Sequence, residues 1–437
     1  MPKRVLVLGA AGFLGEHVVH QLAAADINVI AAVRTGSAFA FASPRVQVAP
    51  DNFDDPTFVR SLLDQVDAAI FSAGRTWQPG LAMNEYHRQN VPIAQTFFNA
   101  LGDRPAMRVV FTSSLSTVGG SIEPRVYAEE SGRDGIREDL LNAYDRAKIA
   151  CEEAALSSAK RRNQVVILNP GLLLGPGVTP GSNLAAPFQL LWLCQGKLPF
   201  YVNGGVTLCD VRDVARAHVS ALTRGQTGQR CILGGHNIDR TQYYRRVARL
   251  TGLRPPMRLP AWLVTSAMTV TDGLGFLTAG LLGGPVHRSF ARTQCLHYFG
   301  GSDRAEKELG YTLTPLETTL LEMLRYYHAC GLLSDSLEFL GDLTVENSPA
   351  LVLLKQLADQ SHYAPFLHRR INHLQEICES NHALSWAFHR LQAASTFDDA
   401  TGRFRWNAHA CRVEMQTLTR FFEYIYFASD EFLHEVL

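Results

Sequence analysis

Val5-Leu6-Val7-Leu8-Gly9-Ala10-Ala11-Gly12-Phe13-Leu14-Gly15 is the stretch on which the fold turns. Four apolar residues in a row read as a buried strand. Three glycines follow at every third position, and Leu14, Val18, Val19 and Leu22 then share one face of a helix. Gly9 allows a tight turn, Gly12 lets the backbone approach a ligand, and Gly15 lets helix and strand pack closely. A helix that starts straight after such a turn offers its unpaired N–H groups to a pyrophosphate. Gly9, Gly12, Phe13, Leu14 and Gly15 are therefore expected to hold a dinucleotide.

The same alternation continues outward. The spacing predicts further strands at Asn28–Val33, Val46–Ala49, Ala68–Ser72, Arg108–Thr112 and Val165–Asn169, and helices at Phe53–Gln65, Asn84–Leu101 and Asn142–Lys160. Strands alternating with helices of this length give an α/β fold: a Rossmann-type, doubly wound parallel sheet whose ligand sits beyond the carboxyl ends of the strands. The texture changes at Pro170–Gly181, where proline and glycine are dense. The expected organisation is a cofactor domain at 1–170, with part of 205–235 returning to it, and a smaller substrate lobe at 171–333. An all-α C-terminal domain is expected at 334–437, where Leu418, Phe421, Phe422, Ile425, Phe432 and Leu433 share a helical face.

The end of the second strand selects the cofactor. NAD(H) enzymes of this fold usually carry an acidic residue there for the ribose 2′-hydroxyl. Here Val33 is followed by Arg34-Thr35-Gly36-Ser37, with no carboxylate. A guanidinium can pair bidentately with a 2′-phosphate, which favours NADP(H) over NAD(H), although such an arginine can also stack on adenine.

Tyr144-Asp145-Arg146-Ala147-Lys148 opens the long helix. Tyr144 and Lys148, four residues apart, project from one face. An ammonium beside a phenol lowers its pKa and suits it to proton transfer at a carbonyl or alcohol. The fifth strand ends in Thr112-Ser113-Ser114, which places a hydroxyl where a substrate oxygen could bind.

Together, the glycine loop, the Thr-Ser-Ser strand end, Tyr-x-x-x-Lys and Asn169-Pro170-Gly171…Gly175-Pro176-Gly177 resemble the extended short-chain dehydrogenase/reductases, specifically the NAD-dependent epimerase/dehydratase family. The closest flavour is the dihydroflavonol-4-reductase-like branch, with the hopanoid-associated epimerase-like proteins. The resemblance covers about residues 3–333 and includes Asp210–Ala215, Ile232–Gly235 and Ala305–Tyr311. It implies that Tyr144 is the acid/base, that Lys148 holds the nicotinamide ribose, and that Ser114 binds the reacting oxygen, with Ser113 and Ser116 close by. It further implies that Asp51 faces the adenine, Ala73 lines the cofactor, and Pro170 and Leu172 sit by the nicotinamide. The family's dehydratases carry an Asp-Glu pair where this chain has Ser113-Ser114. Its nucleotide-sugar epimerases usually hold a diphosphate with an arginine shortly before the position of Asp213. Here that segment is Gly205-Val206-Thr207-Leu208-Cys209, without a cation.

The substrate-lobe sequence is instead rich in Leu184, Pro187, Phe188, Leu191, Trp192, Phe200, Tyr201 and Trp262. Most of these serve as core, and the remainder could line an apolar pocket. The expected activity is NADP(H)-linked interconversion of a ketone or aldehyde and an alcohol on an apolar small molecule of lipid, terpenoid, polyketide or phenolic type. The alternatives are a sugar epimerase with tightly bound NAD, and a redox-sensing Rossmann binding module.

Composition sets outer bounds. Lys+Arg and Asp+Glu are equal at 41 each, so no global field recruits nucleic acid. The charge is unevenly placed: 334–437 holds 8 basic and 14 acidic residues, leaving 33 and 27 before it. Eight scattered cysteines without C-x-x-C read as reduced thiols, and a strand at the very start leaves no room for a signal peptide, so a cytoplasmic protein is expected. Ala261–Leu282 is apolar but interrupted by Asp272, Gly273 and Gly275, so no transmembrane segment is expected, with peripheral membrane contact and a homodimer left open. Glu379/His382 and Glu431/His434 have helical metal-ligand spacing but read as ordinary surface or core side chains, and no metal is expected.

Overall fold

The computed structural model describes residues 1–76 except 35, 38 and 51, then 83–102, 107–131, 141–159, 163–178, 188–263 except 252 and 254, and 293–333. Beyond these it describes 356, 391, 395–398, 403–406, 411 and 418. Two compact units emerge. One comprises 1–188, 200–240 and 258–326, and the other 189–199, 241–257 and 327–437.

The first unit is built on the expected alternation: β1 (Arg4–Leu8), α1 (Phe13–Ala24), β2 (Asn28–Val33), β3 (Val46–Pro50), α2 (Pro56–Leu63) and β4 (Ala68–Phe71). Then come α3 (Met83–Leu101), β5 (Arg108–Thr112), a 3-10 turn at Leu115–Thr117, β6 (Val126–Tyr127), α4 (Ala143–Ala159), β7 (Gln164–Pro170) and β8 (Leu172–Leu174). The strand Arg230–Leu233 joins β7, so a segment from past residue 205 does return to the main sheet. That sheet has seven parallel strands in the order (230–233)-β7-β5-β4-β1-β2-β3. The order reverses between β1 and β4, and the crevice beyond their carboxyl ends is where such sheets bind ligands.

Side-chain alternation on β1 explains the two cores. Val5 and Val7 face one side, packed with Val18, Val19 and Leu22 of α1 and with Val214, Ala215 and Ala217. Leu6 and Leu8 face the other, with Val59 of α2, Phe97 of α3 and Ala147 of α4. All four β1 residues are fully buried, as a parallel sheet covered on both faces requires. Phe71, Phe97, Phe98 and Phe111 form a cluster with ring centroids 5.2–5.9 Å apart. It fixes α3 over β4 and β5.

A second sheet contains Gly205–Asp210, which pairs antiparallel with His236–Asp239 and parallel with β8 and with His297–Gly300; the last carries β6. Among the described residues of 334–437, Ser395–Asp398 pairs antiparallel with Arg403–Trp406. The wholly helical reading of this segment is corrected there. Arg403-Phe404-Arg405-Trp406 alternates polar and apolar residues, a period-two pattern. The helical face proposed for the end of the chain is described at Leu418, which is buried. Its other members, and both Glu/His pairs, lie outside the described residues. Of Ala261–Leu282, 261–263 is described. No helix among the described residues is long and apolar enough to cross a membrane.

Candidate active site

The glycine loop has the geometry its spacing demands. Gly9 sits at φ +76°, and a Cβ there would stand 2.7 Å from the backbone of Ala73 at the end of β4. The Gly12 amide donates to the Gly9 carbonyl at 2.9 Å, closing the turn. A Cβ on Gly15 would meet the Gly9 carbonyl oxygen at 2.0 Å. Gly12 caps α1 with extended backbone and no side-chain hydrogen bond, so the first-turn N–H groups of Phe13, Leu14 and Gly15 have no capping side chain. The result is a backbone cradle at a helix N-terminus, suited to an anion. These residues fit a dinucleotide pyrophosphate.

Arg34 leaves β2 exposed, and no ion pair to it is found among the described residues. Arg75, just past β4, is half-buried. Burial lowers its pKa, and the charge of Arg34 does so further. Two cations thus border this end of the site. Asp51 lies outside the described residues. Ala73 is half-buried beneath the glycine turn, Pro170 is buried at the end of β7, and Leu172 is 43% exposed at the start of β8.

The other end is a buried polar network. Lys148 is 6% exposed and its Nζ donates to the Thr112 carbonyl at 3.1 Å. A methyl group on Gly74 would stand 3.7 Å from that Nζ, so the tips of β4 and β5 and the face of α4 converge. Burial lowers the Lys148 pKa, against the opposing effect of Cys151 and Glu152. Tyr144 is half-buried, with its ring edge-on to Tyr86 at 6.1 Å. The Ser114 side chain lies close enough to act on its pKa. Burial raises its pKa, Asp145, Cys151 and Tyr86 act in the same direction, and the Ser114 hydroxyl opposes them. The lowering expected from Lys148 is therefore not the net effect: the ammonium is turned to the Thr112 carbonyl.

Ser114 is held from below. Asn169, fully buried, donates through Nδ2 to the Ser114 carbonyl at 3.1 Å, to Thr117 Oγ1 at 3.0 Å and to Glu152 Oε1 at 2.8 Å. Thr117 Oγ1 is also within 2.7 Å of that carboxylate, and Arg230 Nε donates to its other oxygen at 2.9 Å. Burial alone would raise the Glu152 pKa; Arg230 and the donors from Ser113, Thr117 and Asn169 outweigh it and hold it low. On β5, Thr112 Oγ1 is 2.8 Å from His218 Nε2, while His218 Nδ1 is 2.8 Å from the Val214 carbonyl. A carbonyl can only accept, so Nδ1 carries the proton and Nε2 accepts from the threonine. Burial pushes this histidine down to about 4.

Tyr144, Lys148 and Ser114 are thus brought together, as are Gly9, Gly12, Gly15 and Ala73. The sequence reading missed Asn90, whose Oδ1 accepts from the Arg75 amide at 2.6 Å and whose Nδ2 donates back to its carbonyl at 3.0 Å. It also missed Glu152, Asn169 and Arg230, which share no local motif. Asp145 and Ser116 went unassigned too, although Asn142-x-x-Asp145 is a readable helix-start signal. Of the apolar residues considered for a pocket, Phe200 and Trp262 are 44% and 68% exposed. Leu184 and Pro187 lie outside the described residues.

With this geometry in view, the comparisons with known proteins are decisive for the family. Residues 5–234, more than half the chain, match the NAD dependent epimerase/dehydratase family. The chain belongs to that family. A putative dihydroflavonol 4-reductase of Synechocystis is 26% identical over 344 residues, 74% of this chain and 94% of the relative. Sterol demethylase protein B of Methylococcus capsulatus is 25% identical over 75% of this chain and 99% of its own length. The crystal structure of gox2253 superposes with a TM-score of 0.65 at 26% identity, covering 76% of this chain and all of that one. A nucleoside-diphosphate-sugar epimerase from Pseudomonas aeruginosa superposes at 0.60 with 22% identity over 76% of this chain and 99% of its own, which establishes the shared fold. As a family member, the chain is an enzyme of the extended short-chain dehydrogenase/reductase type that uses NAD or NADP.

Proposed function

We propose that this enzyme is an NADP(H)-dependent oxidoreductase that interconverts a ketone or aldehyde and an alcohol on an apolar small molecule. The observation that carries the reading is the convergence of Tyr144 and Lys148 on one face of α4 with Ser114 beside Tyr144, where the Lys148 Nζ reaches the tips of β4 and β5. Two hydroxyls side by side can bind one substrate oxygen while one of them transfers a proton to it. In the reductive direction Ser114 holds the carbonyl oxygen and Tyr144 gives it the proton. A bound nicotinamide would supply the hydride.

Gly9, Gly12, Phe13, Leu14 and Gly15 would hold its pyrophosphate on the α1 N-terminus, and Lys148 its nearer ribose. Ala73, Pro170 and Leu172 would border it, and Asp51 would face the adenine. Arg34, exposed and without a neighbouring carboxylate among the described residues, favours a ribose 2′-phosphate. The domain assignment belongs to the same reading: 1–170 with part of 205–235 for the cofactor, 171–333 for the substrate, and 334–437 as an accessory domain. Relatives named for dihydroflavonol and cinnamoyl-CoA reduction support an aromatic or otherwise apolar carbonyl.

The test is to denature the purified enzyme, identify any released nucleotide, and then follow NADPH and NADH oxidation with a panel of a dihydroflavonol, cinnamoyl-CoA, a steroid ketone and UDP-glucose. Consumption of NADPH with one of the apolar carbonyls is expected. Stoichiometric released NAD, with UDP-glucose epimerised and no net NADPH consumption, would replace the reductase by an epimerase.

A further inference from the structure

The chain that leaves Ser114 is laid along a neighbouring strand. Ser114 follows β5 and caps the 3-10 turn Leu115–Thr117. From that turn onward the segment runs against the strand His297–Gly300. A Cβ on Gly300 would stand 2.8 Å from Leu115 Cδ1, and one on Gly120 would stand 2.6 Å from the Tyr298 ring. The His297 amide donates to the Ser121 carbonyl at 2.7 Å, and the Ser121 amide donates back to the His297 carbonyl at 3.1 Å. The strand is therefore the floor on which the Ser114 turn rests, from Leu115 at one end to Ser121 at the other.

The His297 side chain ties down the far end of that segment. It is 8% exposed. Its Nδ1 is 2.9 Å from the Ile122 carbonyl oxygen, and its Nε2 is 3.1 Å from Asp239 Oδ1 on the strand His236–Asp239. A carbonyl can only accept, so Nδ1 carries a proton. A neutral imidazole has no second proton, and its Nε2 would then turn a lone pair on a carboxylate oxygen. Both contacts hold at once when the ring is an imidazolium facing a carboxylate. The ring has little room to turn away: a Cβ on Gly205 would stand 2.6 Å from its Cδ2, and Phe299 lies edge-on at 5.4 Å. The elements around it bring few charges. One side contributes Asp239 and then Arg240, whose guanidinium donates to the Gln294 carbonyl. The loop contributes Glu123 and Arg125, both exposed, its own segment contributes Cys295 and Tyr298, and the strand Gly205–Asp210 places Gly205 opposite it. Among the described residues, Asp239 is the one titratable group within hydrogen-bonding distance of the ring.

We propose that His297 is a positioning residue for the reaction. As an imidazolium it ties the segment after Ser114 to the strands behind it, and it gives up one of its two partners when rising pH takes the second proton. The proposal rests on Ser114 and Tyr144 being the groups at the reacting oxygen. His297 has no hydrogen bond to Ser114, Tyr144 or Lys148 and acts through the seat of the Ser114 turn. The sign follows from the protons. While the ring holds both, Ile122 and Asp239 are both served; a neutral ring can donate to Ile122 or to Asp239, not to both.

Hydrogen exchange of residues 115–123, corrected for the intrinsic pH dependence of exchange, reads the tie without any substrate. From about pH 6 to about pH 9, wild-type protection should fall roughly tenfold, the worth of one hydrogen bond to a charged group. Asp239→Asn can turn an amide N–H to a neutral Nε2, so it should keep its protection across that range. His297→Ala should be weakly protected throughout. Wild-type protection that does not change with pH, or an Asp239→Asn protein that loses it equally, overturns the proposal.

Kinetics with NADPH and trans-cinnamaldehyde as probe add a second arm. His297→Ala should lower kcat roughly tenfold with the KM for NADPH unchanged, the effect of a small misplacement of Ser114. Asp239→Asn should lose less activity than wild type between neutral and alkaline pH. If Ser114→Ala and Tyr144→Phe both turn over like wild type, the reading of the site fails. If both are inactive while His297→Ala keeps the wild-type kcat and pH profile, the positioning role of His297 alone fails.

Discussion

The two ends of the crevice are built on opposite plans. At the end bordered by β1 and β2 the contacts are backbone: glycines without side chains, a helix start without a cap, and exposed Arg34. At the end bordered by β5 and α4 they are side chains: Lys148, Asn169, Glu152 and Thr117 are all nearly or fully buried and hydrogen-bonded to one another or to the strand tips. A backbone cradle tolerates water and needs only space. A buried network must be satisfied at every member, because an unpaired polar group in low dielectric is costly. The first plan suits holding a large ligand, and the second suits fixing two hydroxyls to within a fraction of an ångström.

Substitutions that fill space should damage the first end most. Gly15→Ala places a carbon 2.0 Å from a backbone oxygen that cannot turn away. The loop must open, at a cost of about 3 kcal/mol or more. NADPH titration should show binding lost, with a lower thermal midpoint. Wild-type affinity would show that the loop is not the cradle described.

Substitutions that remove one polar partner should damage the second end. Glu152→Gln removes the charge paired with Arg230 and, with its oxygen kept toward the Asn169 donor, turns an NH2 donor against the Arg230 donor, which should cost about 3 kcal/mol of stability. The pH dependence sharpens this. The folded-state pKa of Glu152 lies below its ordinary value, so the carboxylate stabilises the protein above that ordinary value and ceases to as pH falls through the depressed one. The gap between wild type and variant, read from urea midpoints, should therefore be full at pH 7 and shrink in acid. A gap independent of pH would mean that the charge is not what matters.

The smallest effect belongs to a single exposed contact. Arg34→Asp should lower the NADPH/NADH ratio of kcat/KM by roughly ten- to a hundredfold, the worth of about 1.5–3 kcal/mol for hydrogen bonds to a charged group. An unchanged ratio removes Arg34 as the phosphate ligand and moves attention to Arg75.

The same contrast explains what could be read in the sequence. The glycine loop is legible because three residues fix their own backbone. Tyr144 and Lys148 are legible because four residues make one helical turn. The alternation of strands and helices is readable to within a residue or two at most ends, as with the helix Asn84–Leu101 against the observed Met83–Leu101, and is three residues early at Phe53, where the helix starts at Pro56. The support for Ser114 was not. Asn169 lies 17 residues from Glu152, and Arg230 lies 78 residues away on a strand whose register against β7 sets the contact. Only folding brings them together. Near the end of the chain, Ser395–Asp398 and Arg403–Trp406 were hidden by a search for helical periodicity, although the second alternates polar and apolar residues. Spacing puts Lys148 on the same face as Tyr144, but not where its ammonium points, which is the Thr112 carbonyl.

The central claim is that the Tyr144 hydroxyl moves the proton while the backbone cradle holds the cofactor. Replacing Tyr144 by Phe and measuring both NADPH affinity and turnover, on whichever carbonyl compound the wild-type enzyme reduces, tests it most directly. The account predicts NADPH binding within about twofold of wild type and kcat lower by on the order of 10²–10⁴. Turnover close to wild type, with binding intact, would contradict it.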